Sequence, residues 1–117
     1  MSKQLAAEIL HFVTPLSLND FEDCSYINKP RSMGASLIRH TDLKPFEFNQ
    51  RVDIVLVGAP DISNTENPYG GAQKIREQFY QLNQISTSHR IADFGNLKMG
   101  PNINETRFAL KEFAALL

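Results

Sequence analysis

Leu5, Ala6, Ile9, Leu10 and Val13 recur at helical spacing, Ser2 stands where an N-cap acceptor would, and Pro15 follows the last periodic residue. The pattern predicts an amphipathic helix over 3–13. From 14 to 29 it dissolves into Pro15, Asn19, Asp20, Asp23 and Asn28 interleaved with Leu16, Leu18, Phe21 and Tyr26, a loop or broken helix that still packs. Residues 35–40 form a short apolar run between Gly34 and Thr41-Asp42 and read as a strand. The clearest strand is 52–57, Val-Asp-Ile-Val-Leu-Val, closed by Gly58. A β-branched run without alternation is what a strand covered on both faces needs, so it is expected at the centre of the sheet.

A long polar loop, 59–71, leads into a helix from about 71 to 82. Ala72, Ile75, Phe79 and Leu82 mark the inward face of that helix, and Lys74, Arg76, Glu77 and Gln81 face away. His89 to Phe94 read as a second short strand ended by Gly95-Asn96. Asn102 and Glu105 have capping-box spacing, which opens a last helix. Thr106, Ala109, Leu110, Phe113, Leu116 and Leu117 fall on one arc of it, and the chain stops while that stripe is still apolar, without a Gly cap or basic last turn. The end therefore looks cut.

The order is helix, strand, strand, helix, strand, helix: a leader helix, loop and strand over 1–51, then a β-α-β-α unit over 52–117. Such alternation predicts an α/β domain with a mostly parallel sheet and right-handed crossovers. Its length of 117 residues suits one domain. With 12 Lys+Arg against 13 Asp+Glu and no basic run, neither nucleic acid nor an anionic membrane is an expected partner. No apolar run approaches the roughly 20 residues of a membrane span. The single cysteine, Cys24, closes no intrachain disulfide, and the start has no basic segment leading into an apolar one. A cytoplasmic location is the expectation.

The loop after the 52–57 strand is the best candidate for chemistry, because open parallel sheets bind ligands at the carboxyl ends of their strands. Gly58 followed by Gly70-Gly71 matches neither the dinucleotide nor the P-loop fingerprint, and an ordered surface loop is the plainer reading. His11, His40 and His89 are dispersed and give no metal-ligand spacing. Asp53 and Asp93 both sit in strands, and Asp93 is expected to bond backbone donors at the Gly95 turn. Cys24, beside Glu22 and Asp23, reads as packing. Tyr26, Tyr69 and Tyr80 read as surface or core aromatics.

Three stretches, in order, resemble the amino-terminal part of the ureohydrolase family, the arginases, agmatinases and formimidoylglutamases. They are Val57-Gly58-Ala59-Pro60, the Gly70-Gly71-Ala72…Ile75-Arg76 helix start, and Ile91-Ala92-Asp93-Phe94-Gly95-Asn96-Leu97 followed by Glu105-Thr106. Ser32-Met33-Gly34 through Thr41 is similar to the leader of a formimidoylglutamase-like bacterial subgroup. Gln73-Lys74 stands where family members usually carry Gly-Pro. The resemblance implies a three-layer α/β/α sandwich of arginase/deacetylase type, of which this chain is the amino-terminal fragment. It also implies hydrolysis of guanidino or formimino C–N bonds by a parent carrying two Mn ions. The family's metal-ligand segments, Gly-Gly-Asp-His, Asp-x-His-x-Asp and a later Asp-x-Asp, would all lie beyond Leu117.

No catalytic, cofactor-binding or metal residue is therefore expected in this chain, and alone it should be inactive. Asp61, Asn64, Gly70 and Gly71 would form at most a rim of the parent's cleft. The exposed sheet edge and the terminal apolar stripe should drive self-association. Two alternatives stay open: a stand-alone small-ligand or protein-interaction module, and a non-catalytic relative of the ureohydrolases.

Overall fold

The computed structural model describes residues 8–17, 31–61, 63–64, 66–84, 89–98, 100 and 102–116. Ser2, Leu5, Ala6, Leu18, Phe21, Cys24, Tyr26 and Leu117, on which part of the sequence reading falls, lie outside the described residues. Among the described residues, four helices and four strands make a small α/β domain with a mixed sheet. They are α1 over 8–11, β1 (Val13–Thr14), α2 (Met33–Ser36), β2 (Ile38–Arg39), β3 (Ile54–Gly58), α3 (Gly70–Phe79), β4 (Ile91–Leu97) and α4 (Ile103–Leu116).

β4, not β3, is the centre of the sheet. One side of β4 pairs with β3 in parallel, Ile54 opposite Ile91 and Leu56 opposite Asp93. The other side pairs in parallel with β2, Ile38 opposite Ala92, and antiparallel with β1, Val13 opposite Leu97. β3 has no second neighbour among the described strands, and Ile54 is 44% exposed. A β-branched apolar run marks a strand, but an apolar edge and a buried centre share that signature. Only pairing tells them apart.

Two further differences have local causes. Residues 33–36 are helical, so the strand expected over 35–40 shrinks to β2. The Ser32 hydroxyl caps α2 by accepting from Ala35 N–H at 3.2 Å, and Gly34 lets the helix sit against Tyr80. β4 also runs through Gly95-Asn96 instead of stopping there. The β3–β4 register shifts between Leu56 and Gly58, and Gly95 takes φ 94°, a conformation that absorbs the extra residue as a bulge. A Cβ at Gly95 would overlap the Thr14 carbonyl oxygen.

α4 begins as expected, with the Asn102 side chain accepting from Glu105 N–H at 2.9 Å. Apolar packing divides into two clusters. Ile9, Val13, Phe46, Ala92, Phe94, Leu97 and Phe113 form the larger, against which Val55 and Val57 pack. Leu16, Leu37 and Tyr80 form the smaller, against which Ile91 and Phe79 pack. Among the described residues, no helix is long and apolar enough to cross a membrane.

Candidate functional site

The densest polar chemistry lies between α3 and the bulged end of β4. Arg76 and Tyr80 are four positions apart and so share one face, and that face meets the middle of β4. Arg76 was expected to point outward. Instead it is 6% exposed, whereas Ile75, expected inward, is 70% exposed, and Leu82, just beyond the helix, is 55% exposed. The helix is rotated because the β4 residue it meets is Asp93, a wholly buried carboxylate that needs donors.

Asp93 has four. Its Oδ2 accepts from Arg76 Nε at 2.8 Å and from the Tyr80 hydroxyl at 2.6 Å. Its Oδ1 accepts from Arg76 Nη2 at 3.1 Å and from Gly95 N–H at 3.0 Å. The last is the backbone bond expected at the Gly95 turn. Arg76 also donates to Asn96 Oδ1 at 2.7 Å and to the Gly95 carbonyl at 2.6 Å. Burial, then the charge of Asp93, pushes the Tyr80 phenol well above its ordinary value, so it stays a donor. Gly58 closes the arrangement from β3: a Cβ there would overlap Asn96 Oδ1 and lie 3.0 Å from Arg76 Nη1. The missing side chain lets the strand end approach the guanidinium.

Loop 59–69 closes largely on itself. Asp61 Oδ1 accepts from the Ser63 N–H and hydroxyl, and Asn64 Oδ1 accepts from Asn67 N–H, while Asp61 N–H donates to the Pro68 carbonyl at 2.7 Å. Gly70 opens α3, packed against the Asn67 side chain, and Gly71 has open space around it. Tyr69 ties the end of the loop to β4 through its hydroxyl, which donates to the Leu97 carbonyl at 2.5 Å. Gly71 lines an open apolar cleft of about 480 Å3 between β3 and α3, together with Leu56, Ala72, Ile75 and Phe79, with Arg76 and Asp93 at its floor.

Asp53 and Asp93 occupy separate environments. Asp53 caps the start of β4, accepting from Arg90 N–H at 2.8 Å and from Arg51 at 3.2 Å, and chiefly the first of these holds its carboxyl below the usual range. His40 is buried, and its Nδ1 accepts from Phe46 N–H at 2.9 Å; burial lowers its pKa.

The sequence points to the Gly95 bond of Asp93 but not to its bonds with Arg76 and Tyr80, because Arg76 on a helix is ordinarily a solvated residue. The available signal was the i, i+4 pair of Arg76 and Tyr80 on one face of α3. Compared with protein-family models, with curated proteins and with solved structures, the chain matches none.

The resemblance implies two Mn ions only in a longer parent, with ligands beyond Leu117, and Asp93 of this chain is not free to serve as one. A carboxylate offers about four lone-pair sites, and those of Asp93 meet four donors, two of them from the Arg76 cation that a metal ion would have to displace. Among the described residues, no three His, Cys, Asp or Glu side chains gather into a group that could hold a metal.

Proposed function

We propose that this chain is the amino-terminal structural segment of an arginase/agmatinase/formimidoylglutamase-like hydrolase acting on guanidino or formimino C–N bonds. The observation that carries this reading is the meeting of Gly58, Arg76, Asp93 and Asn96 in one buried cluster. Each of the three stretches that resemble the ureohydrolases supplies at least one member, and the spacing between them brings those members into contact. The helices and the two apolar clusters fit one part of a three-layer α/β/α sandwich.

In such a parent, paired Mn ions supply a nucleophile by lowering the pKa of bound water. The residues of this chain would hold neither ion. Their work is to lock α3 onto β4 and so fix the loop bearing Asp61 and Asn64, with the Gly70-Gly71 start of α3, at the carboxyl end of β3, as a rim to a cleft completed by later residues.

The reading frame after the Leu117 codon tests this. Continuation into Gly-Gly-Asp-His and Asp-x-His-x-Asp, with Mn-dependent release of urea or formamide by the full-length product, is the expected result. Continuation without those ligands makes the parent a non-catalytic relative. A stop codon directly after Leu117 overturns the hydrolase reading and favours a stand-alone interaction module, for which the apolar cleft beside Gly71 is the supporting observation.

A further inference from the structure

We propose that the cleft between β3 and α3 is a binding site for a small neutral molecule with an apolar body and one carbonyl oxygen, which accepts a hydrogen bond from Arg76. The donor count carries this. A guanidinium has five N–H groups. Arg76 directs Nε to Asp93 Oδ2, the two N–H groups of Nη2 to Asp93 Oδ1 and the Gly95 carbonyl, and one N–H of Nη1 to Asn96 Oδ1. The fifth, the second N–H of Nη1, meets no acceptor among the described residues. Nη1 is the nitrogen beside Gly58, 3.0 Å from where a Cβ would stand there, and Gly58 and Arg76 both line the cleft. The Arg76 side chain is only 7% exposed, and a buried donor is costly until an acceptor reaches it.

Walls and charge balance fix the chemistry of the occupant. Leu56, Ala72, Ile75 and Phe79 give apolar surface around about 480 Å3, within the range of small-molecule sites, which combine apolar walls with a few placed polar groups. Arg76 and Asp93 are the charged residues among those lining the cleft, and they neutralise each other at 2.8 Å. An anion would give up its hydration there without meeting net positive charge. A guanidino or formimino cation would find no carboxylate oxygen free, because Asp93 already accepts from four donors. A neutral carbonyl compound meets neither penalty: its oxygen completes Nη1, and its body covers Ile75, which is 70% exposed. The absent side chain of Gly58 leaves the approach to Nη1 open. This site is separate from the hydrolytic chemistry proposed above and does not rest on it.

The test is an NMR titration of the 117-residue chain with acetophenone, α-methylstyrene, benzoate and benzamidinium, which share one shape and differ in charge and in the acceptor. Acetophenone should bind with a dissociation constant on the order of 1 mM. It should shift the Gly58 and Ala72 amides and the Arg76 side-chain N–H signals, and give intermolecular NOEs to the Ala72 and Ile75 methyls. α-Methylstyrene, in which a methylene replaces the oxygen, should bind roughly tenfold more weakly, and both ions should also bind more weakly than acetophenone. Ala72→Leu, which fills the cleft one turn before Arg76, should abolish the acetophenone shifts. If that variant does not fold, the NOEs and the ligand series on the unsubstituted chain decide. Equal affinity for acetophenone and α-methylstyrene overturns the proposal. So does tighter binding of either ion, NOEs to another part of the chain, or no shift at about 10 mM acetophenone, ten times the expected constant. The same amides shifting with protein concentration alone would also overturn it, by making a second copy the occupant.

Discussion

Arg76 and Asp93 form a two-pronged ion pair between α3 and the central strand β4, with Arg76 Nε 2.8 Å from Oδ2 and Nη2 3.1 Å from Oδ1. The side chains are 7% and 0% exposed. Removing one partner strands the other's charge in the interior. Arg76→Ala and Asp93→Asn are therefore each expected to cost about 3–5 kcal/mol, read as a lower midpoint in urea unfolding. Arg76→Lys is not conservative here: a single ammonium cannot reach Asp93, Asn96 and the Gly95 carbonyl in one plane. A stability near wild type for Arg76→Lys would show that charge alone suffices.

Tyr80→Phe isolates one arm of the same network. It removes the hydroxyl that donates to Asp93 at 2.6 Å and keeps the ring. A hydrogen bond to a charged group contributes about 1.5–3 kcal/mol, so Tyr80→Phe should fall by that amount. In the Asp93→Asn background the loss should be smaller, since the acceptor is then neutral, and a double-mutant cycle measures the difference.

Two glycines predict effects of opposite sign. Gly95→Ala meets both a φ of 94° and the Thr14 carbonyl and should destabilise by more than about 1 kcal/mol. Gly71 lies in α3 with nothing within 4 Å of a Cβ, so Gly71→Ala should stabilise by about 0.4–1 kcal/mol through the unfolded chain. Thermal unfolding of the two variants checks both signs.

His40 gives the fold a pH dependence. Burial depresses its pKa below the unfolded value of 6.5, so between the two values the unfolded chain binds more protons than the folded one. Stability from this group is complete above pH 6.5 and declines as pH falls from there through the folded pKa. His40→Asn keeps an acceptor for Phe46 N–H but does not titrate, and should flatten that slope. Asp53, whose pKa is also lowered, acts in a separate window below the ordinary carboxyl value of 3.8. An unchanged slope in His40→Asn between pH 8 and 5 would assign the dependence to other groups.

Much of the element order was written in local sequence, because periodicity and capping act within a few residues. The α3 and α4 helices, the β3 strand and the Asn102 cap follow from Ala72, Phe79, Phe113, the Ile54–Val57 run and the Asn102–Glu105 spacing. The bond from Gly95 N–H to Asp93 was legible for the same reason, its partners lying two residues apart. Tertiary structure alone decided that β4 takes the centre and β3 the edge, since strand pairing joins residues more than thirty positions apart. It alone turned Arg76 inward and left Ile75 outside. A helix wheel ranks faces by hydrophobicity, but a buried carboxylate on the facing strand costs more to leave without donors than an exposed isoleucine costs in water. That carboxylate, and not the apolar stripe, fixed the rotation of α3.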